Sequence, residues 1–236
     1  MPIQDGDFVL LDYVAKVKET GNVVDTTIED VAKREGIYDS SKTYGPMLVV
    51  VGRGWIVRGV EEALKQLDPG VEVEVEVPPE KAYGERDPGK VKILSLREFR
   101  KRGYEVSVGD VVEYGGSTGV VKSISGGRVV VDFNNPLAGK TLVYKLRVVK
   151  KVEDLNEKIA ALASRNLGVG LGEIEVSYNS DERSVTIKLN PSIVTKKDIQ
   201  YSKVALVSNI FELFKDSVAK VVFQEVFEKA EQKPSQ

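Results

Sequence analysis

Neither cysteine nor histidine occurs among the 236 residues. The first absence excludes disulfides and thiolate-held zinc, and the second removes imidazole as metal ligand or general base. Any chemistry here works without them. Basic charge is not in surplus either: the formal net charge is -2 and the pI about 5.6. A phosphate backbone therefore finds no general attraction, and nucleic acid is disfavoured as a partner. No apolar run approaches bilayer length, and the N-terminal MPIQDGDFVLL lacks the basic segment and apolar stretch of a leader, so a cytoplasmic location without membrane contact is expected. Tryptophan is single, Trp55, and it sits on a tight glycine-flanked turn.

What is present suffices for a sizeable core. With 42% hydrophobic residues, a chain of this length divides most simply into two or three modest domains. Charged residues reach 30%, the kind of surface a thermophile uses for ion pairs. In the first block FVLLDYVAKVKETGNVVD reads as a strand, a turn and a second extended piece. TTIEDVAKREG reads as a short helix, with Thr26 and Glu29 at capping-box spacing and Gly36 as its stop. The apolar run MLVVVG follows, and then a helix whose Val60, Ala63, Leu64 and Leu67 share one face, closed by Pro69 and Gly70. VEVEVEVPPE alternates strictly, placing Val71, Val73, Val75 and Val77 on one side of a half-buried antiparallel strand and its glutamates on the other, solvated side.

Residues 87–137 have another rhythm. The short helix SLREFRKRG leads to three strands, VGDVVEYGG, TGVVKSISGG and RVVVDFNNP, with glycine-rich turns between them. TLVYKLRVVKKV is then a long strand without a partner in that module, free to return to the first block. The third block, 153–236, opens with a helix striped by Leu155, Ile159 and Leu162 and ended by Gly168. Two strands joined by SDER follow, then a helix with Val207, Ile210, Phe211 and Phe214 at i, i+3, i+4 and i+7, and a last strand in AKVVFQEVF. That helix face serves either as core or as a dimer surface. The tail EKAEQKPSQ reads as frayed.

The sequence VGRGWIVRGVEEALKQLDPG followed by PPEKAYGERDP resembles the FKBP-type peptidyl-prolyl isomerases, the macrolide-binding immunophilins. VDFNNPLAGKTLVYKLRVVKKV is further similar to the SlyD-like branch, in which a chaperone domain is inserted in the flap, and a third domain is similar to the long archaeal members. The resemblance implies an α+β fold: an antiparallel sheet wrapped on a short helix, with a small inserted all-β domain and a C-terminal α+β domain. It assigns residues 1–86 with 138–152 to the isomerase domain, 87–137 to the insert-in-flap domain and 153–236 to the C-terminal domain.

Isomerisation suits a chain without His or Cys. Rotation about an X-Pro bond is slow because amide resonance raises a barrier of roughly 18 to 20 kcal/mol. Lowering it needs no nucleophile, metal or cofactor, only an apolar pocket that removes water and a few polar groups that hold the twisted amide. Carried onto this sequence, the family pocket falls on Tyr13, Val24, Asp25, Met47, Ile56, Val57, Val60, Tyr83 and Tyr144. The resemblance implies that Val57 offers its backbone N–H, that the Tyr83 hydroxyl donates to the substrate, and that Asp25, held by Tyr13, sits near the twisting carbonyl. Apolar members grip the proline ring. Where the family often carries tryptophan on the floor this chain has Val60, which implies a wider pocket and weak macrolide affinity. Trp55 is expected on the pocket rim or against the long loop before Met47.

The partners expected are unfolded or partly folded proline-containing polypeptides, with the insert tethering them beside the pocket, and a homodimer through the C-terminal block. Two other function classes compete: a holdase with little isomerase activity, and a nucleic-acid or protein adaptor built on an SH3-like insert.

Overall fold

Alternating apolar positions in FVLLDYVAKV form β1 (Phe8–Val17), and Gly21, at φ 71°, helps turn the chain into β2 (Val23–Thr26). The structure is a computed structural model describing residues 2–101 and 103–227. Helix α1 (Glu29–Arg34), β3 (Met47–Val50), α2 (Arg58–Leu64) and β4 (Glu72–Val77) complete the first block. Next come β5 (Val91–Ser95), α3 (Leu96–Lys101), β6 (Val111–Tyr114), β7 (Ser117–Ser125) and β8 (Arg128–Asp132), and then the long β9 (Leu142–Val152). The last third holds α4 (Leu155–Leu167), β10 (Glu175–Asn179), β11 (Ser184–Leu189), the single turn α5 (Pro191–Val194), α6 (Ile199–Leu213) and β12 (Lys220–Glu225). The architecture is α+β. Among the described residues no helix is long and apolar enough to cross a membrane.

Three sheets divide these strands. In the first, β9 lies between β1 and β4, while the other edge of β1 pairs with β3 along residues 8–11 and with β2 along 14–16. Every pairing in it is antiparallel. The second runs β5-β8-β7-β6, and the third β10-β11-β12, whose last pair is parallel.

Both faces of the first sheet are covered where β1, β3 and β9 meet. Val9, Leu11, Tyr13, Ala15, Val49, Leu142, Tyr144 and Leu146 pack with Val60 and Leu64 of α2 in one core. Phe8, Leu48, Val50 and Val152 belong to the core of the C-terminal block, with Ile159 and Leu162 of α4. That double cover explains why MLVVV is continuously apolar, since neither face meets water. A bulge where Leu10 and Leu11 oppose Lys150 and Val148 shifts the register of β9 and lets Val152 reach the opposite core from Val148.

Several expectations need correction. Thr26 does not cap α1; its hydroxyl donates to the Tyr13 carbonyl at 2.8 Å, because Thr26 is the last residue of β2, and Ile28 is the N-cap without a side-chain bond. The second sheet has four strands, not three, since VKILS forms β5 ahead of the short helix. Helix α6 buries Ile199, Lys203, Leu206 and Ile210, whereas Phe211 is exposed and Val207 and Phe214 are only half-buried. Lys203 enters the buried face because Glu225 pairs with it at 2.7 Å and the Phe223 ring lies beside it. Val71 falls outside β4 and is exposed. The glutamates of β4 form the solvated face expected of them, where Glu72 and Glu76 also pair with Lys145 and Lys18. The tail at 228–236, expected to fray, lies outside the described residues.

Candidate active site

β1 and β2 bring the first two polar groups together. Ala15 pairs with Asp25 across the strands, so Tyr13 and Asp25 are diagonal neighbours on one face. The Tyr13 hydroxyl donates to Asp25 Oδ2 at 2.6 Å, and the backbone N–H of Thr26 donates to Oδ1 at 3.0 Å. Burial, reinforced by the bond to Asp25, pushes the Tyr13 phenol well above its ordinary value, so it stays a donor. Tyr144 on β9 sits beside it, ring centroids 5.8 Å apart. Burial and the neighbouring Tyr83 hydroxyl push Tyr144 up as well.

The turn and helix that follow β3 supply the apolar wall. Gly59 lies so close to β4 that a Cβ there would meet Val77 at 2.5 Å, so glycine sets the approach of α2 to the sheet. The Glu61 carboxylate accepts the Gly54 N–H at 2.9 Å, tying the tight turn to the helix. Val57, as N-cap of α2, carries an N–H without an acceptor among the described residues, a donor left over by the helix start. Tyr83 follows a single helical turn at Pro79–Lys81, is 39% exposed and stands beside Tyr144.

Tyr13, Val60 and Tyr144 belong to one buried cluster, with Val24, Met47, Ile56 and Val57 half-buried against it. Val60 is fully buried and so lies beneath the surface that a ligand would touch. Ile56, Val57, Met47 and Val24 would be met first. Tyr13, Asp25 and Met47 also line a cavity of about 560 Å3, whose other walls come from the 41–46 loop and from α4 and residues 168–171. That cavity does not reach Val24, Ile56, Val57, Val60, Tyr83 or Tyr144.

Other participants carried no motif. Lys42, from the polar loop SSKTYGP, pairs with Asp25 at 3.4 Å. Ala82 and Leu137 pack on the same cluster. Trp55, expected on the rim or against the loop, packs on the C-terminal core, with the Arg165 guanidinium 4.7 Å over its ring. No local pattern could show this, since Arg165 stands 110 positions further on.

A carboxylate held by a phenol, a part-exposed tyrosine, a free backbone donor and an apolar cluster can desolvate and hold a twisted amide, a rotation that requires no covalent bond to the protein. A model of the FKBP-type peptidyl-prolyl cis-trans isomerases matches residues 1–100. Models described as the FKBP26 IF domain and the FKBP26 C-terminal domain match 92–137 and 155–228. The chain belongs to the FKBP-type peptidyl-prolyl cis-trans isomerases. Its relatives include the short-type peptidyl-prolyl cis-trans isomerase of Methanocaldococcus jannaschii, 36% identical over 62% of this chain and 92% of that protein. The FKBP-type isomerase SlyD of Treponema pallidum is 35% identical over 58% of this chain and 79% of that protein. The FKBP-type 16 kDa isomerase of Escherichia coli is 31% identical over 48% and 78%.

Proposed function

We propose that this chain accelerates X-Pro isomerisation in folding polypeptides and that its second sheet holds the unfolded chain while it does so. In this reading residues 1–86 with 138–152 carry catalysis, 87–137 form the insert and 153–236 the C-terminal unit. The observation that carries the catalytic part is the Tyr13 to Asp25 bond of 2.6 Å at the edge of the apolar cluster. Water leaves the amide as the prolyl ring settles on Ile56, Val57, Met47 and Val24. The Val57 N–H and the Tyr83 hydroxyl donate to carbonyls of the bound segment, and Asp25 faces the carbonyl of the twisting bond. Because the small Val60 stands where the family often carries tryptophan, the pocket is expected to be wider and macrolide affinity weak.

The holding role is supported by where the second sheet leaves apolar side chains. Its edge strands are β5 and β6, and they carry Ile93 and Val111, 65% and 70% exposed. Tyr104 and Val108 are exposed nearby. Open apolar edges pair with extended peptide. A proline-limited refolding reaction, followed with the intact chain and with a variant lacking 88–136, tests both parts. No acceleration by either sinks the isomerase reading; equal acceleration sinks the holding role. Binding of RNA that weakens steeply with added salt would favour the adaptor instead.

A homodimer has its own support. Tyr201, Val204 and Phe211 leave an apolar stripe on the outer side of α6. Light scattering of the intact chain and of a variant ending at Val152 tests it, and monomers in both would remove the dimer.

A further inference from the structure

The C-terminal block does more than cover the back of the first sheet: it walls the cavity that shares Tyr13, Asp25 and Met47 with the proline site. Ala161, Ser164 and Arg165 of α4 and residues 168–171 form that wall. It is held in place by several independent contacts. The Thr43 hydroxyl donates to the Gly168 carbonyl at 3.0 Å, the Phe8 and Phe214 rings stack at 5.5 Å, and Arg53 pairs with Glu212. Leu48 and Val50 lie in the same core as Leu162.

Three charged groups line the cavity: Asp25, Lys42 and Arg165. Lys42 and Asp25 answer each other at 3.4 Å. Arg165 has no carboxylate partner among the described residues; one N–H donates to the Leu48 carbonyl at 3.2 Å, and the guanidinium lies over Trp55. Those two contacts orient the planar fork, and a single bond leaves most of its five N–H donors unused. The cavity volume, about 560 Å3, falls in the range that encloses a short segment of ligand.

We infer that this cavity is a second subsite for the substrate chain, in which Arg165 receives an Asp or Glu side chain flanking the X-Pro bond. The inference rests on the placement of the proline site at Tyr13 and Asp25. The preferred substrate is then a polypeptide with an acidic residue near its proline. An Arg165 that only pinned α4 to β3 would affect all substrates alike, whereas a receiving group changes the ratio between them.

The test measures kcat/KM of the intact chain on proline peptides that differ only in Glu, Gln or Lys at positions two and three residues to either side of proline. For the wild type, Glu is expected to exceed Lys about fivefold at one or more of these positions, as a single partly exposed charge pair allows. The ratio falls toward one as salt is raised. Arg165→Glu inverts it and Arg165→Lys preserves its direction. The same ratio in wild type and Arg165→Glu overturns the subsite. Should Arg165→Glu not fold, Arg165→Gln and the wild-type salt series decide: a Glu preference that survives both overturns it equally. Asp25→Ala, run on the same peptides, separates the two readings. If it leaves all rates unchanged, the proline site itself is misplaced; if it lowers them all while the ratio ignores Arg165, only the subsite falls.

Discussion

The first and second sheets bury themselves in opposite ways. The first has a helix on one face and another block of chain on the other, so β1, β3 and β9 feed two cores at once. The second has a small core of Phe99, Val121, Val129 and Val131, with α3 supplying the phenylalanine, and leaves apolar residues on both its edge strands. Fixed geometry serves a site that must hold one twisted amide. Open edges would suit the proposed holding surface, which must take many sequences, and a thinly buried unit opens at lower free energy than a deeply buried one. The site and its proposed holding surface thus differ first in depth of burial.

The sharpest way to break that comparison is to empty each core. Leu146→Ala removes a fully buried side chain from the first sheet, and a loss of about 2–5 kcal/mol is expected. Thermal unfolding should then show the whole chain melting earlier. Phe99→Ala is of similar size, about 3–5 kcal/mol, but its effect should stop at the insert. Amide exchange would show β5 to β8 unprotected while β1 and β9 stay slow. Loss of protection in β1 would mean that the sheets unfold as one.

Next in size is removal of residues 88–136. On a short peptide the shortened chain should match the intact one, while on a refolding protein its advantage should fall by at least about tenfold, since tethering acts only on chains that reach both units. Within the fixed region, Asp25→Ala leaves the Tyr13 hydroxyl without its acceptor. Hydrogen bonds to charged groups are worth about 1.5–3 kcal/mol, so kcat/KM on short peptides should drop about tenfold or more. An unchanged value would remove Asp25 from the mechanism.

Much of the first sheet is readable from local pattern. The α2 face, the glycines around it and the alternation of β4 are written in contiguous residues, and the strand left without a partner at 142–152 is in fact the centre of the sheet. That Ile56, Val57 and Val60 share one apolar cluster is legible for the same reason, because the turn and helix that carry them form one short motif. What could not be read depends on distant partners. Lys203 interrupts the apolar stripe of α6 and is buried only because β12 supplies Glu225. Trp55 looks like a turn residue until α4 lays Arg165 over it. Lys42 sits in an unremarkable polar loop and becomes part of the site only when that loop folds over Asp25. The pattern of one element names its face, but not the element that will cover it.

The smallest effect is expected at the junction between the two sheets. Asp132 ends β8 nearly buried, accepts the N–H and the side-chain amide of Asn134 at 3.0 and 2.8 Å, and pairs with Arg86, three residues after Tyr83. Asn134 also bridges to both the N–H and the carbonyl of Asp87 at 2.9 Å. Burial alone would raise the Asp132 carboxyl, but the bonds from Asn134 and the charge of Arg86 outweigh it and hold the group below its ordinary 3.8. A depressed folded pKa means that the stabilisation is fully present above the unfolded value and is lost as pH falls through the folded one. The junction should therefore loosen in acid, below about pH 4. Asp132→Asn removes that dependence: nuclear magnetic resonance signals of β5 to β8, followed from pH 6 to 3, should shift with pH in the wild type more than in the variant. Parallel curves would show that this carboxylate does not couple the site to the insert, and that the two sheets communicate only through the chain between them.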